Sequence, residues 1–253
     1  MNVWTRRLLP VVLGLLVVGV SSPVWAASTP GLPSITINSG SSGSPSQTIG
    51  ILALITLIAF LPALLLTMTA FTRIITVLSF LRTALGLQST PPNQVLIGLA
   101  LFLTAFVMAP TLSAVNHQAL HPYLLGRISL MAAGSRALGP MRHFMYHQTR
   151  PSDLDLFLRL DHVKVPHSLK NVPTMALIPA FIISELKTAF EIGVYIYIPF
   201  VVIDMVVSTI LMSMGMMMVP PTLISLPLKL LLFVLANGWV LVVQSLVMSF
   251  HGG

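Results

Sequence analysis

The chain has 253 residues, of which 55% are hydrophobic and only 8% charged, with a mean hydropathy of +0.93. Soluble domains carry about 25% charged residues, so this composition excludes an ordinary soluble domain and indicates an integral membrane protein. The net charge of +7 reflects scarce acids, six against 13 bases, and the bases Arg127, Arg136, Arg142 and Arg150 are too sparse for a nucleic-acid surface, which argues against one. Cysteine is absent, so disulfides, thiolate zinc sites and a thiol nucleophile are excluded too.

Residues 1–27 read as a secretory signal peptide. Arg6 and Arg7 form its charged start, Leu8 to Val20 its apolar stretch, and Val24-Trp25-Ala26 a small-residue cleavage site. That apolar stretch covers only about 20 Å as a helix, against a hydrocarbon core of ~30 Å. Residues 28–48 are rich in Ser, Gly and Pro without apolar periodicity and read as a flexible tether.

Residues 49–110 read as a first helical hairpin region. Its first apolar run, Ile49 to Ala70, is long enough to span a bilayer. In its continuation Thr69, Thr72, Thr76, Ser79 and Thr83 recur at helical spacing. Such a stripe suits close helix packing, within one chain or between identical subunits. Arg73 and Arg82 flank it and assign this end to the cytoplasmic side. The second run, Val95 to Ala109, is too short to be a simple lipid-facing span.

Residues 111–173 form the extended polar segment, with six of the seven histidines. Asp153 and Asp155 followed by Leu154, Phe157, Leu158 and Leu160 predict an amphipathic helix. His117/His121 and His143/His147 stand at i, i+4, but neither pair carries the Glu of a His-Glu-x-x-His motif. Solvated histidines are therefore expected, with no metal site.

Residues 174–253 read as a C-terminal helical pair. Met175 to Pro199 holds Glu185, Lys187 and Glu191, and the next run, Phe200 to Leu211, holds Asp204. Ionisable groups in apolar stretches face a bundle interior or water. Lys187 and Glu191 can pair at i, i+4, whereas Glu185 has no local partner and points to contact with another segment or subunit. Leu228 to Val247 reads as a final span with Asn237 and Gln244 on one face, and Lys229 marks its cytoplasmic end. Between the runs lies Leu211-Met212-Ser213-Met214-Gly215-Met216-Met217-Met218-Val219-Pro220-Pro221. Gly215, Pro220 and Pro221 break a helix there, and unbranched methionines give a soft apolar loop that re-packs around varied shapes.

The stretches Phe71-Thr72-Arg73-Ile74-Ile75-Thr76-Val77-Leu78, Ser184-Glu185-Leu186-Lys187-Thr188-Ala189-Phe190, Tyr197-Ile198-Pro199-Phe200 with Ile203-Asp204, and Gly215 to Pro221 come in fixed order. Pro227-Leu228-Lys229 to Asn237-Gly238-Trp239 completes them. On these the chain resembles the FliP family of flagellar protein-export gates, related to the SctR proteins of virulence type III secretion, over about residues 50 to 250.

The resemblance implies an all-α integral membrane protein of about four hydrophobic helical segments in hairpins, with a helical periplasmic segment between the second and third. It implies a non-enzymatic channel subunit without cofactor, a pentamer joined to Q- and R-type gate proteins and other basal-body export components. Unfolded flagellar proteins would pass through it across the bacterial inner membrane. Met216, Met217 and Met218 would form the pore gasket, while Glu185, Lys187, Phe144 and Phe157 would serve assembly. Asn237 stands where the family often has an acid. A virulence-system gate and a small-solute transporter are the alternatives. No internal repeat supports the transporter, and no histidine inside the apolar runs supports an intramembrane enzyme.

Overall fold

Apolar runs with good helix formers fold here as helices. The computed structural model describes residues 55, 56, 59, 62, 63, 66–161, 172–216 and 219–251, all within one unit, Gly50–Gly253. The expected signal peptide and tether, most of the first apolar run, and Met217 and Met218 lie outside the described residues. Among the described residues there is no β-strand.

In chain order the helices are α1 (Phe71–Ala84), α2 (Asn93–Val107), α3 (Ala109–Val115), a π-helical turn (Asn116–Leu120) and α4 (His121–Leu124). Then come α5 (Leu130–Gln148), α6 (Pro151–Leu160), α7 (Thr174–Ser213), α8 (Pro221–Leu235) and α9 (Gly238–His251).

α7 is the spine. Its 40 residues make a rod of about 60 Å, twice a ~30 Å hydrocarbon core. The two runs expected on either side of Pro199 are one helix, and it holds both Pro179 and Pro199 inside it. α1 lies along α7 with Ile74, Val77, Leu78 and Leu81 buried between them and neighbouring helices. Gly193 of α7 makes the approach possible, because a Cβ there would lie 2.7 Å from the Phe80 ring of α1.

Two other segments are apolar enough to cross a membrane only as bent pairs. α2 and the helical stretch Ala109–Leu124 meet at 65°, as do α8 and α9. The short second run is thus extended by its neighbour, but around a corner. The single final span expected from Leu228 to Val247 is instead broken at Asn237. That residue takes the left-handed conformation, φ 53°, and Gly238 follows with the Phe233 ring where a Cβ would be, 2.2 Å away. Asn237 therefore ends a helix rather than sharing a face with Gln244.

The threonine stripe turns inward on its own backbone. Thr76 Oγ1 donates to Thr72 O at 2.7 Å, Ser79 Oγ to Ile75 O at 2.8 Å and Thr83 Oγ1 to Ser79 O at 3.0 Å. These hydroxyls are satisfied without a second helix.

Candidate functional site

The methionine loop begins where α7 ends. Gly215 sits at φ 77°, where side chains are strained. Its N–H donates to Met212 O at 3.1 Å, and the Met216 N–H reaches back to Leu211 O at 3.0 Å. This paired closure is a Schellman cap. Pro220 and Pro221 then start α8, with Pro221 in the first turn, where the missing N–H costs nothing. Met212, Met214 and Met216 are all exposed, so these three do not fill the core.

A layer of charge crosses the fold near the start of α1. The Arg73 Nε donates to Glu185 Oε2 at 2.9 Å and Nη2 to Oε1 at 2.5 Å. Nη1 donates to both the carbonyl and the hydroxyl of Ser249, each at 3.0 Å, and Nη2 also reaches Gln148 Oε1 at 3.0 Å. The guanidinium lies 3.9 Å from the centre of the Phe250 ring. One residue of α1 thus binds α5, α7 and α9 together. Glu185 has its partner within the chain, 112 positions away. Arg73 is buried, in the layer that also holds Gln148 of the polar segment, so it is not an exposed flanking base.

Beside this layer α6 docks on α7. Asp153 is buried and accepts from Ser184 Oγ at 2.9 Å and from Lys187 Nζ. Burial works to raise the Asp153 pKa, but the hydrogen bonds from Lys187 and Ser184 outweigh it and hold the carboxyl below its ordinary value. Arg150 makes a two-pronged contact with Glu191 at 2.8 and 2.5 Å, and that carboxylate pushes the Arg150 pKa up. The expected Lys187–Glu191 pair is replaced by these two longer-range pairs. The reason is that α6 brings a buried carboxylate and a forked guanidinium within reach.

Phe144 of α5 packs edge-on to Phe181, 5.9 Å between centroids, and stacks on Phe250 at 6.5 Å. Phe157 is half-buried on α6. Of the apolar face expected on α6, Leu158 is buried and Leu154 half-buried like Phe157, whereas Leu160 is exposed.

At the opposite end of α1, Lys229 of α8 donates to Asp204 Oδ2 at 2.6 Å and to Ala84 O at 3.3 Å. A cation on the last carbonyls of α1 is favourable by the helix dipole. Arg82 lies at this same end, bonded to Asn93 Oδ1 at 2.5 Å. Of the three bases expected on one side, Arg82 and Lys229 lie at this end of α1 and Arg73 at the other.

His143 and His147 face each other with Nε2 atoms 3.2 Å apart. Among the described residues no three His, Asp or Glu side chains gather as metal ligands would.

A FliP family model matches residues 54–246. The Bacillus subtilis (strain 168) flagellar biosynthetic protein FliP is 55% identical over 217 residues, 85% of this chain and 98% of that protein. The protein of the same name from Pectobacterium carotovorum subsp. carotovorum is 51% identical over 241 residues, 94% of this chain and 91% of its own. That of Aquifex aeolicus (strain VF5) is 47% identical over 225 residues, covering 87% and 92%. With its buried Arg73–Glu185 layer and its capped methionine loop inside the matched span, the chain belongs to the FliP family.

Proposed function

We propose that this chain is a channel-forming subunit of the flagellar type III export gate, passing unfolded flagellar proteins across the inner membrane at the basal body. Family membership over residues 54–246 is the observation that carries this reading. The chain acts as a conduit and not as an enzyme. The four hydrophobic segments are one in residues 49–110 before α2, α2 itself, α7, and the bent α8–α9 pair. Residues 111–173 form the periplasmic part, and 1–27 and 28–48 the signal peptide and tether.

The chain works as a pentamer with Q- and R-type gate proteins. Exposure along α7 supports this, because Val194, Tyr195, Ile198, Val202, Met205, Val206 and Ile210 are all open on a helix twice as long as a bilayer core. Met216, Met217 and Met218 form the gasket, between the helix breaks at Gly215 and at Pro220 and Pro221. Pliable methionines exclude ions yet fit themselves around a passing chain. Glu185, Lys187, Phe144 and Phe157 serve assembly by fixing α5 and α6 on α7, which shapes the surface offered to a neighbour.

Native mass of the protein purified with its Q- and R-type partners tests this. A complex holding several copies of this chain is expected. A monomer or small dimer that ignores both partners would overturn the reading.

A further inference from the structure

The arms α3–α4 and α5 pack together as a hairpin whose tip is apolar. Gly126, at φ 69°, reverses the chain, with its N–H on Tyr123 O at 2.9 Å and the Arg127 N–H on Pro122 O at 3.0 Å. Ser129 then caps α5 by accepting from the Ala132 N–H at 3.3 Å. This turn holds Leu124 and Leu125 on one arm beside Leu130 and Met131 on the other. All four are exposed, Leu124 by 71% and Met131 by 85%.

Four large apolar side chains at one well-formed turn need a covering. The charges nearby say which. Arg127 at the turn and Arg136 one helical stretch on are exposed, and the chain holds no acid before Asp153. A second copy of this chain is a poor match. Of its six acids, five are already engaged with bases of their own chain, leaving Asp161. An anionic lipid surface supplies both an apolar interior and phosphates, and apolar side chains flanked by arginine are how proteins enter that interface. Tyr123, amphipathic and exposed, suits the headgroup level. The first arm of the hairpin is also the second half of the bent α2 pair, Asn93–Val107 with Ala109–Leu124, a segment apolar enough to cross a membrane.

We propose that this tip inserts Leu124, Leu125, Leu130 and Met131 into the surface of an anionic bilayer, with Arg127 and Arg136 on the lipid phosphates. The site is independent of the gate reading, since it concerns lipid and not the pore.

The chain has no cysteine, so single labels are straightforward. Leu124→Cys, Met131→Cys and, as a solvent control, Ser152→Cys carry an environment-sensitive dye on full-length protein in nanodiscs. The discs contain phosphatidylcholine alone or with phosphatidylglycerol. In anionic discs the labels at 124 and 131 are expected to blue-shift, to be quenched by doxyl-lipid and to be shielded from aqueous iodide, while the label at 152 is not. Arg127→Gln and Arg136→Gln should each lower the inserted fraction relative to the free one roughly fivefold, as about 1 kcal/mol per base near such a surface implies. Iodide quenching at 124 and 131 equal to that at 152 in anionic discs would place the tip in water and overturn the proposal. Shielding from iodide in anionic discs without quenching by doxyl-lipid would assign the tip to a protein neighbour and overturn it as well.

Discussion

Arg73 and Glu185 form a two-pronged ion pair inside the fold, with 2% and 0% of their side-chain surfaces exposed. Breaking a buried pair by removing one partner leaves a stranded charge and costs about 3–5 kcal/mol. Glu185→Ala and Arg73→Ala are each expected to destabilise by that order. The double variant with Ala at both positions should cost less than the sum of the singles. Unfolding free energies in detergent check this, and additive losses would show that the pair is not coupled. By contrast Glu191→Ala, at a pair 37% and 55% exposed, should cost less than about 1 kcal/mol.

Acid should loosen α6. The Asp153 carboxyl has a folded pKa below its unfolded value of about 3.9, so its contribution is fully present above that value. It is lost as pH falls through the depressed folded pKa. Hydrogen exchange across residues 151–160 is expected to stay slow at mildly acidic pH and to accelerate only below about pH 4. Asp153→Asn should accelerate it at neutral pH and flatten the acid response. An acid response unchanged in that variant would assign it to another group.

The corner between α8 and α9 depends on Gly238. A methyl group there would meet the Phe233 ring, which is buried and lies edge-on to Trp239 at 5.6 Å. Gly238→Ala is expected to cost about 1–3 kcal/mol through overpacking. Adding Phe233→Leu should recover part of that loss. Thermal stability of the single and double variants decides, and a single variant as stable as wild type would show that the ring moves freely.

Replacing Met216, Met217 and Met218 together by Ala should raise ion leak through the assembled gate several-fold, because small side chains leave the seal open. Conductance of reconstituted complexes measures it. Unchanged leak from a complex of normal mass would remove the gasket role from these residues.

Local punctuation was legible in the sequence and long-range pairing was not. Gly215, Pro220 and Pro221 announced a helix break, and the structure uses them as a C-terminal cap and a helix start. Pro199 looked like the same signal yet sits inside α7, since neighbouring helices can satisfy the backbone a proline frees. Asn237-Gly238 was the missed signal, a left-handed residue followed by glycine in the middle of an apolar run. The partner of Glu185 was hidden because Arg73 lies 112 positions away and a charge-distribution rule reads only bases outside the bundle. Neighbour spacing likewise favoured Lys187–Glu191, but an i, i+4 pair is worth only about 0.2–0.5 kcal/mol and gives way to buried or forked partners.

The layer around Arg73 also sets an order of events during synthesis. Its guanidinium needs the Ser249 carbonyl and hydroxyl and lies over the Phe250 ring, and the Gln148 side chain donates to Phe250 O at 3.0 Å. A ribosome that has made residues 1–248 has supplied the ion pair but none of these late partners. Until residues 249 and 250 are made, the Arg73 guanidinium lacks these partners. A change at Ser249 therefore acts on α1, 176 positions earlier.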